Sequence, residues 1–149
     1  MNDSFRRCSG RRVVSRASAD DVGRLGHLLV DAEQRRITAV VIGKVRKARL
    51  VDWEEIIGFG PDAVIISDDA AARPPADDHE RAATHGELDV VGRRVLTDRG
   101  TDVGVVDDVT FDPGTGSVLA LLIGQREVPA GALLGSGSYA VVIDAVAKD

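Results

Sequence analysis

The sequence predicts an all-β protein: two small β-barrels in tandem, related by an approximate two-fold axis, each with a short helical turn. Three observations lead there. Blocks of residues recur in one order roughly eighty positions apart. The apolar segments between them are short and rich in β-branched side chains, which is strand chemistry rather than helix chemistry. Glycine and proline punctuate these segments at close spacing, as turns do.

The repeat is read block by block. Gly10-Arg11-Arg12-Val13-Val14 returns as Gly92-Arg93-Arg94-Val95-Leu96. Asp21-Val22-Gly23 returns as Asp102-Val103-Gly104, with Asp31 matching Asp112. Ala39-Val40-Val41-Ile42-Gly43 matches Ala120-Leu121-Leu122-Ile123-Gly124. Ile57-Gly58-Phe59-Gly60 and the apolar run 63–66 match Leu134-Gly135-Ser136-Gly137 and the run 140–143. The offset falls from 82 to 81 to 77, so only turns change length, chiefly by four residues near 44–50.

In chain order, residues 1–9 read as an N-terminal tail and 10–66 as the first copy, with strands at 11–16, 24–30, 36–42, 47–51 and 62–66. Residues 53–57 suit a single helical turn. Residues 67–87 contain Asp68-Asp69, Pro74-Pro75 and Asp77-Asp78 and read as an exposed linker, with a short helix fitting 77–84. The second copy spans 88–145, with strands at 93–97, 104–111, 117–123, 126–128 and 139–143 and a helical turn at 131–134; 146–149 form a tail. Closing such strands into barrels removes exposed sheet edges. Runs 39–42, 63–66, 119–123 and 140–143 are apolar on both faces, so a second surface needs cover, between the copies or between chains. Self-association as a homodimer is therefore expected, since monomers rarely expose large apolar patches.

Composition narrows the class. With 44% hydrophobic and 29% charged residues the chain is globular, and with 3% aromatics its core rests on aliphatic side chains. No apolar stretch is long enough for a signal peptide or a membrane span, so a soluble cytoplasmic protein is expected. Cys8, the one cysteine, allows neither an intramolecular disulfide nor a multi-cysteine metal site.

These ordered blocks resemble the PRC-barrel family, the β-barrel module found in the cytoplasmic part of the photosynthetic reaction-centre H subunit and in a ribosome-maturation factor. The family pattern opens on a glycine-valine strand, here 10–14 and 92–96. A glycine then begins a strand ending in aspartate, Gly23 to Asp31 and Gly104 to Asp112. An apolar strand, a short segment such as Val51-Asp52-Trp53-Glu54-Glu55-Ile56 and a closing apolar strand complete it. The second copy has Ala130 where the first has Trp53, so a tryptophan-dependent surface is not shared by both. The resemblance implies a non-catalytic adaptor or assembly role through protein contacts, with no cofactor.

Candidate chemistry is thin. His27, His79 and His85 share no metal-ligand spacing and read as solvated polar residues. Cys8, in the N-terminal tail, lacks a fixed base beside it. Asp107, Asp108 and Asp112 crowd one strand but miss the spacing of a calcium loop, and Asp112 suits a turn opener before Pro113. Gly58-Phe59-Gly60 and Gly135-Ser136-Gly137 read as tight turns, because no Lys-Ser/Thr follows them as in a phosphate loop. Charge is more informative: residues 1–66 carry +3 and residues 67–149 carry −8. Two basic groups stand out, Arg6, Arg7, Arg11, Arg12 and Arg16, and Lys44, Arg46, Lys47 and Arg49. They read either as an ordinary solvated surface or as a patch for an acidic partner. Lys44, Arg46, Lys47 and Arg49 with Trp53 are the candidate partner-binding residues. An acidic chain disfavours general nucleic-acid binding, and an RNA- or ribosome-associated factor using the basic turn stands as the alternative.

Overall fold

The computed structural model describes residues 2–43 and 47–145. The first half contains β2 (Arg12–Ser15), β3 (Asp21–Asp31), β4 (Arg36–Ile42), β5 (Arg49–Asp52), β6 (Ile56–Phe59) and β7 (Ala63–Ile66). They pair in the order β5-β4-β3-β2-β7-β6. The second half repeats this with β8 (Arg94–Thr97), β9 (Asp102–Phe111), β10 (Val118–Ile123), β11 (Arg126–Pro129), β12 (Leu133–Ser136) and β13 (Ala140–Ile143), ordered β11-β10-β9-β8-β13-β12. Even the registers agree: Leu28 faces Val40 as Val109 faces Leu121, and Val13 faces Val64 as Val95 faces Val141. The offset change has one main source. The β4–β5 turn takes six residues, 43–48, where the β10–β11 turn takes two, 124–125.

Two features differ from the sequence expectation. β6 and β12 were expected as turns because of their glycines, yet both are edge strands whose register slips at Gly58 and Gly135. Glycine there marks a bulge rather than the end of pairing. Nor do the sheets close by hydrogen bonds. Their end strands are joined by 3₁₀ turns, Trp53–Glu55 and Ala130–Ala132, whose buried Trp53 and Ala132 lie in the core.

The chain at both ends of the first copy is also more engaged than expected. Residues 3–8 form β1 (Asp3–Ser4) and α1 (Phe5–Cys8), and β1 pairs with β9 of the other half. A buried ion pair of 2.6 Å ties Asp3 back to Arg11 beside β2. The 67–87 stretch, expected as an exposed linker, folds back instead on the first half. Arg73 exchanges two backbone hydrogen bonds with Leu50 on the free edge of β5. Beyond it runs α2 (Asp78–Thr84), capped by the Asp77 side chain, which accepts from the Glu80 N–H. Ala83 and Leu88 then cover Leu29, Ala39, Val41 and Leu50 on the outer face of the sheet. The doubly apolar run 39–42 is therefore buried within the chain, and α2 is the reason.

The halves meet on a local two-fold axis. Arg36 bridges Ser117, its own equivalent 81 residues on. Ile37 N–H donates to Gly116, and symmetrically Val118 N–H donates to Arg35, both at 2.8 Å. Around this bridge one core runs through both halves, and four of the five aromatic rings lie in it. Trp53 stacks on Phe59, and Phe59 and Phe5 meet Phe111 edge-on at 5.3 and 5.6 Å. Among the described residues no helix is long and apolar enough to cross a membrane.

The symmetry breaks usefully at one place. Both hairpins need a left-handed residue there, Arg35 at φ +54° and Gly116 at φ +80°. A Cβ on Gly116 would lie 2.8 Å from the Trp53 ring, whereas the opposite side has Ala130 for Trp53 and accommodates Arg35. Gly116→Ala is therefore expected to cost roughly 1–2 kcal/mol for the left-handed backbone and about 1–3 kcal/mol more for crowding the ring. Gly124→Ala, at φ +63° with open space around it, should cost only the first part. Urea unfolding of both variants checks this. In a Trp53→Ala background the second part of the Gly116 cost should vanish.

Candidate functional site at the junction of the halves

Of the candidate partner-binding residues the structure describes Lys47, Arg49 and Trp53. Lys47 and Arg49 are exposed beside the β4–β5 turn, while Lys44 and Arg46 lie outside the described residues. Trp53 follows the far end of β5 and is only 8% exposed, its ring held between Phe59 and Gly116. Its role is to fill the seam between the halves. The N-terminal arginines are likewise engaged one by one. Arg6 meets Asp107 and Asp108, Arg7 the Asn2 carbonyl, Arg11 Asp3 and the Gly60 carbonyl, and Arg12 Asp21.

The acidic and histidine candidates scatter similarly. Asp112 accepts from the Gly114 N–H at 2.8 Å, the turn-opening role expected of it. Asp108 instead accepts the Arg6 N–H at 3.0 Å. His85 is held on the Arg81 carbonyl, and His79 is exposed. Among the described residues no three His, Cys, Asp or Glu side chains converge as a metal site. Cys8 is buried rather than held in a loose tail, and that burial pushes its thiol pKa up to about 12.

What the fold does assemble is a cleft where the lead-in segments of the two copies cross. Residues 3–8 lie on β9, and residues 84–91 lie against β3. The crossing is symmetric in position and different in chemistry. At one position of β3 stands His27, facing Asp89; at the matching position of β9 stands Asp108, facing Arg6. His27 Nδ1 sits 3.0 Å from both carboxylate oxygens of Asp89. That hydrogen bond raises the His27 pKa, outweighing the opposite effect of partial burial. Between the segments is a cavity of about 310 Å³ with Phe5, Leu28 and Val90 in its wall and Arg6, His27 and Asp89 as its polar groups. Asp89 had no local signal in the sequence, being 62 residues from its partner.

Chemically this arrangement is a clamp. The His27 ring nitrogen facing Asp89 is occupied by it, so the pair ties β3 to the start of the second copy. A smaller hollow of about 190 Å³ lies where Trp53, Ile57 and Phe59 face Pro113 and Gly114 across the junction.

Comparison with known families returns one match that covers most of the chain. The PRC-barrel domain matches residues 3–73 and again residues 88–147. The matched ranges include the crossing segment 3–8 and the Leu50–Arg73 contact. No curated protein matches the chain significantly.

The His27–Asp89 clamp has a predictable pH dependence. Because the folded His27 pKa is raised, the pair contributes fully below the unfolded value near 6.5, and its contribution is lost as pH rises through the folded pKa. Both side chains are about a third exposed, which holds the contribution to roughly 1 kcal/mol or less. Asp89→Asn should thus destabilise the chain at pH 5.5 and have little effect at pH 9. Urea unfolding at the two pH values, with an NMR titration of His27, measures it. The Cys8 thiol should react with a thiol-specific reagent at pH 8 only at the rate of unfolding, because the thiolate is scarce and the sulfur enclosed.

Proposed function

Because this chain belongs to the PRC-barrel domain family and carries its domain twice, we propose that it is a non-catalytic adaptor that acts through protein–protein contacts in an assembly. PRC-barrel domains are protein-interaction modules and are generally non-enzymatic. The observation that carries the reading for this chain is how its reactive groups are used. Cys8 is enclosed in the core, the His27 nitrogen is clasped by Asp89, and Asp108 and Asp112 accept backbone N–H groups. Cys8, His27 and Asp108 thus hold one part of the fold to another, and Asp112 shapes its own turn. A cytoplasmic setting accords with a single cysteine kept as a buried free thiol.

A second reading rests on charge. Lys47 and Arg49 are exposed on the half of the chain that carries +3, and an RNA- or ribosome-associated factor would use them. Self-association draws on a different surface. The β4 face that first suggested a homodimer is covered by α2, but Ile57 and Leu134 occupy matching positions in the two copies and are 48% and 47% exposed.

Pull-down from lysate with and without nuclease separates the first two readings. An adaptor should retain its protein partners after nuclease, and in the Lys47→Glu/Arg49→Glu variant. Loss of every partner on RNA removal would transfer the function to the basic turn. Sedimentation at micromolar concentration reads self-association. A dimer that separates on Ile57→Ser/Leu134→Ser assigns it to that apolar pair, and single-chain mass throughout leaves the pair to a different protein.

A further inference from the structure

The two copies differ most in what covers the outer edge of their sheets. In the first, Leu50 N–H and C=O point outward from β5 and are met by Arg73, with α2 continuing over the face behind. Glu127 is the equivalent of Leu50: it faces Leu122 on β10 as Leu50 faces Val41 on β4. Its backbone N–H and C=O therefore point outward too, since the non-hydrogen-bonded position of one pair is outward-bonding on the free side. Among the described residues nothing takes the place of Arg73 there, and Glu127 is exposed.

The faces behind the two edges match position by position. Leu50, Val41 and His27 form a row across the first sheet; Glu127, Leu122 and Asp108 form the same row across the second. Leu50 and Val41 lie beneath α2 in the first copy; in the second their places are taken by Glu127 and a half-buried Leu122, and Asp108 at the end of the row is held by the Arg6 N–H. The second copy, residues 88–145, carries a net −4.

We propose that the β11 edge, with the face formed by Glu127 and Leu122, is a docking site for an extended basic segment of a partner protein. The proposal rests on the adaptor reading and deepens it by naming the surface and the partner's chemistry. The segment adds as a short strand, making with Glu127 the reciprocal pair of hydrogen bonds that Arg73 makes with Leu50. A lysine or arginine opposite Glu127 gains a cross-strand ion pair, and an acidic residue there is repelled. A second copy of the chain is a poor occupant of this edge. Antiparallel pairing about a two-fold axis through the reciprocal hydrogen bonds of Glu127 sets Glu127 against Glu127, two like charges. Pro129 at the end of β11 lacks an N–H and keeps the pairing short, as it is at Leu50.

The test uses the full chain and the peptide Ala-Ala-Ala-Arg-Pro-Pro-Ala, whose sequence is that of residues 70–76, the segment that already takes such an edge. A counterpart peptide has Glu for Arg. Proton–nitrogen spectra at millimolar peptide should show shifts centred on 126–128 and slowed exchange of the Glu127 amide. The Glu peptide should bind about fivefold more weakly, and Glu127→Lys should reverse that order. Equal binding of both peptides, shifts centred on other strands or no shift would overturn the site. So would a Glu127 amide already protected in the free protein, because the edge would then be filled by the chain itself. Failure here is distinct from failure of the adaptor reading. A nuclease-resistant protein partner retained equally by Glu127→Lys sinks the site alone, whereas peptide binding without any such partner leaves the site and sinks the adaptor.

Discussion

The rest of the structure depends on the packing of Phe5, Trp53 and Phe59 from one half around Phe111 from the other. A copy of about sixty residues buries too little of its own surface to be more than marginally stable. Large rings placed where two such copies meet give each of them a core it does not have alone. The backbone bridge at Arg36 and Ser117 fixes the axis on which they meet. The buried Asp3–Arg11 pair then holds the N-terminal segment, with Phe5, in place. Position along this axis is what brings Arg6, His27 and Asp89 to one cleft.

A tandem duplication begins with two identical surfaces, and two identical surfaces on an axis place each side chain against its own kind. Here the differences between the copies resolve that conflict. Trp53 requires the absence of a Cβ at Gly116, while Ala130 leaves room on the opposite side for Arg35. His27 faces Asp89, while Asp108 faces Arg6. At the matched positions the two copies therefore make different contacts: Trp53 against Gly116, His27 against the Asp89 carboxylate, and Asp108 against the Arg6 backbone N–H. The same divergence reaches the outer faces. One keeps Leu50 and Val41 and hides them beneath α2; the other has Glu127 in the place of Leu50.

This division bears on function. An adaptor needs surfaces that remain available after the fold has satisfied itself, and the junction leaves few. The first copy's outer face is closed by Arg73, which also joins Asp52 to Glu80 and so locks α2 over the sheet. Glu80 is held ionised far into the acid range, its pKa lowered to about 2 chiefly by the hydrogen bond from Arg73. What stays open includes Glu127 and the apolar Leu134 on the second copy and Lys47 and Arg49 on the first.

By itself the sequence determined the repeat, the all-β class, nearly every strand and the helix at 78–84. Those are local properties: β-branched runs and glycine turns declare themselves within a few residues. The four-residue difference in the β4–β5 turn was legible for the same reason, as a change of offset between matching blocks. Only the tertiary structure decided which side chains meet across the axis. Asp89 and His27 lie 62 residues apart, Arg6 and Asp108 lie 102 apart, and neither pair has a pattern along the chain. Trp53 illustrates the limit: its composition suited an exposed contact as well as a buried one, and the contact with Gly116 settled it. The strands at 56–59 and 133–136 were hidden by their glycines, because a bulged edge and a turn use the same residue. A linear code states where the chain extends and bends; which surfaces are consumed in folding depends on what the bends bring together.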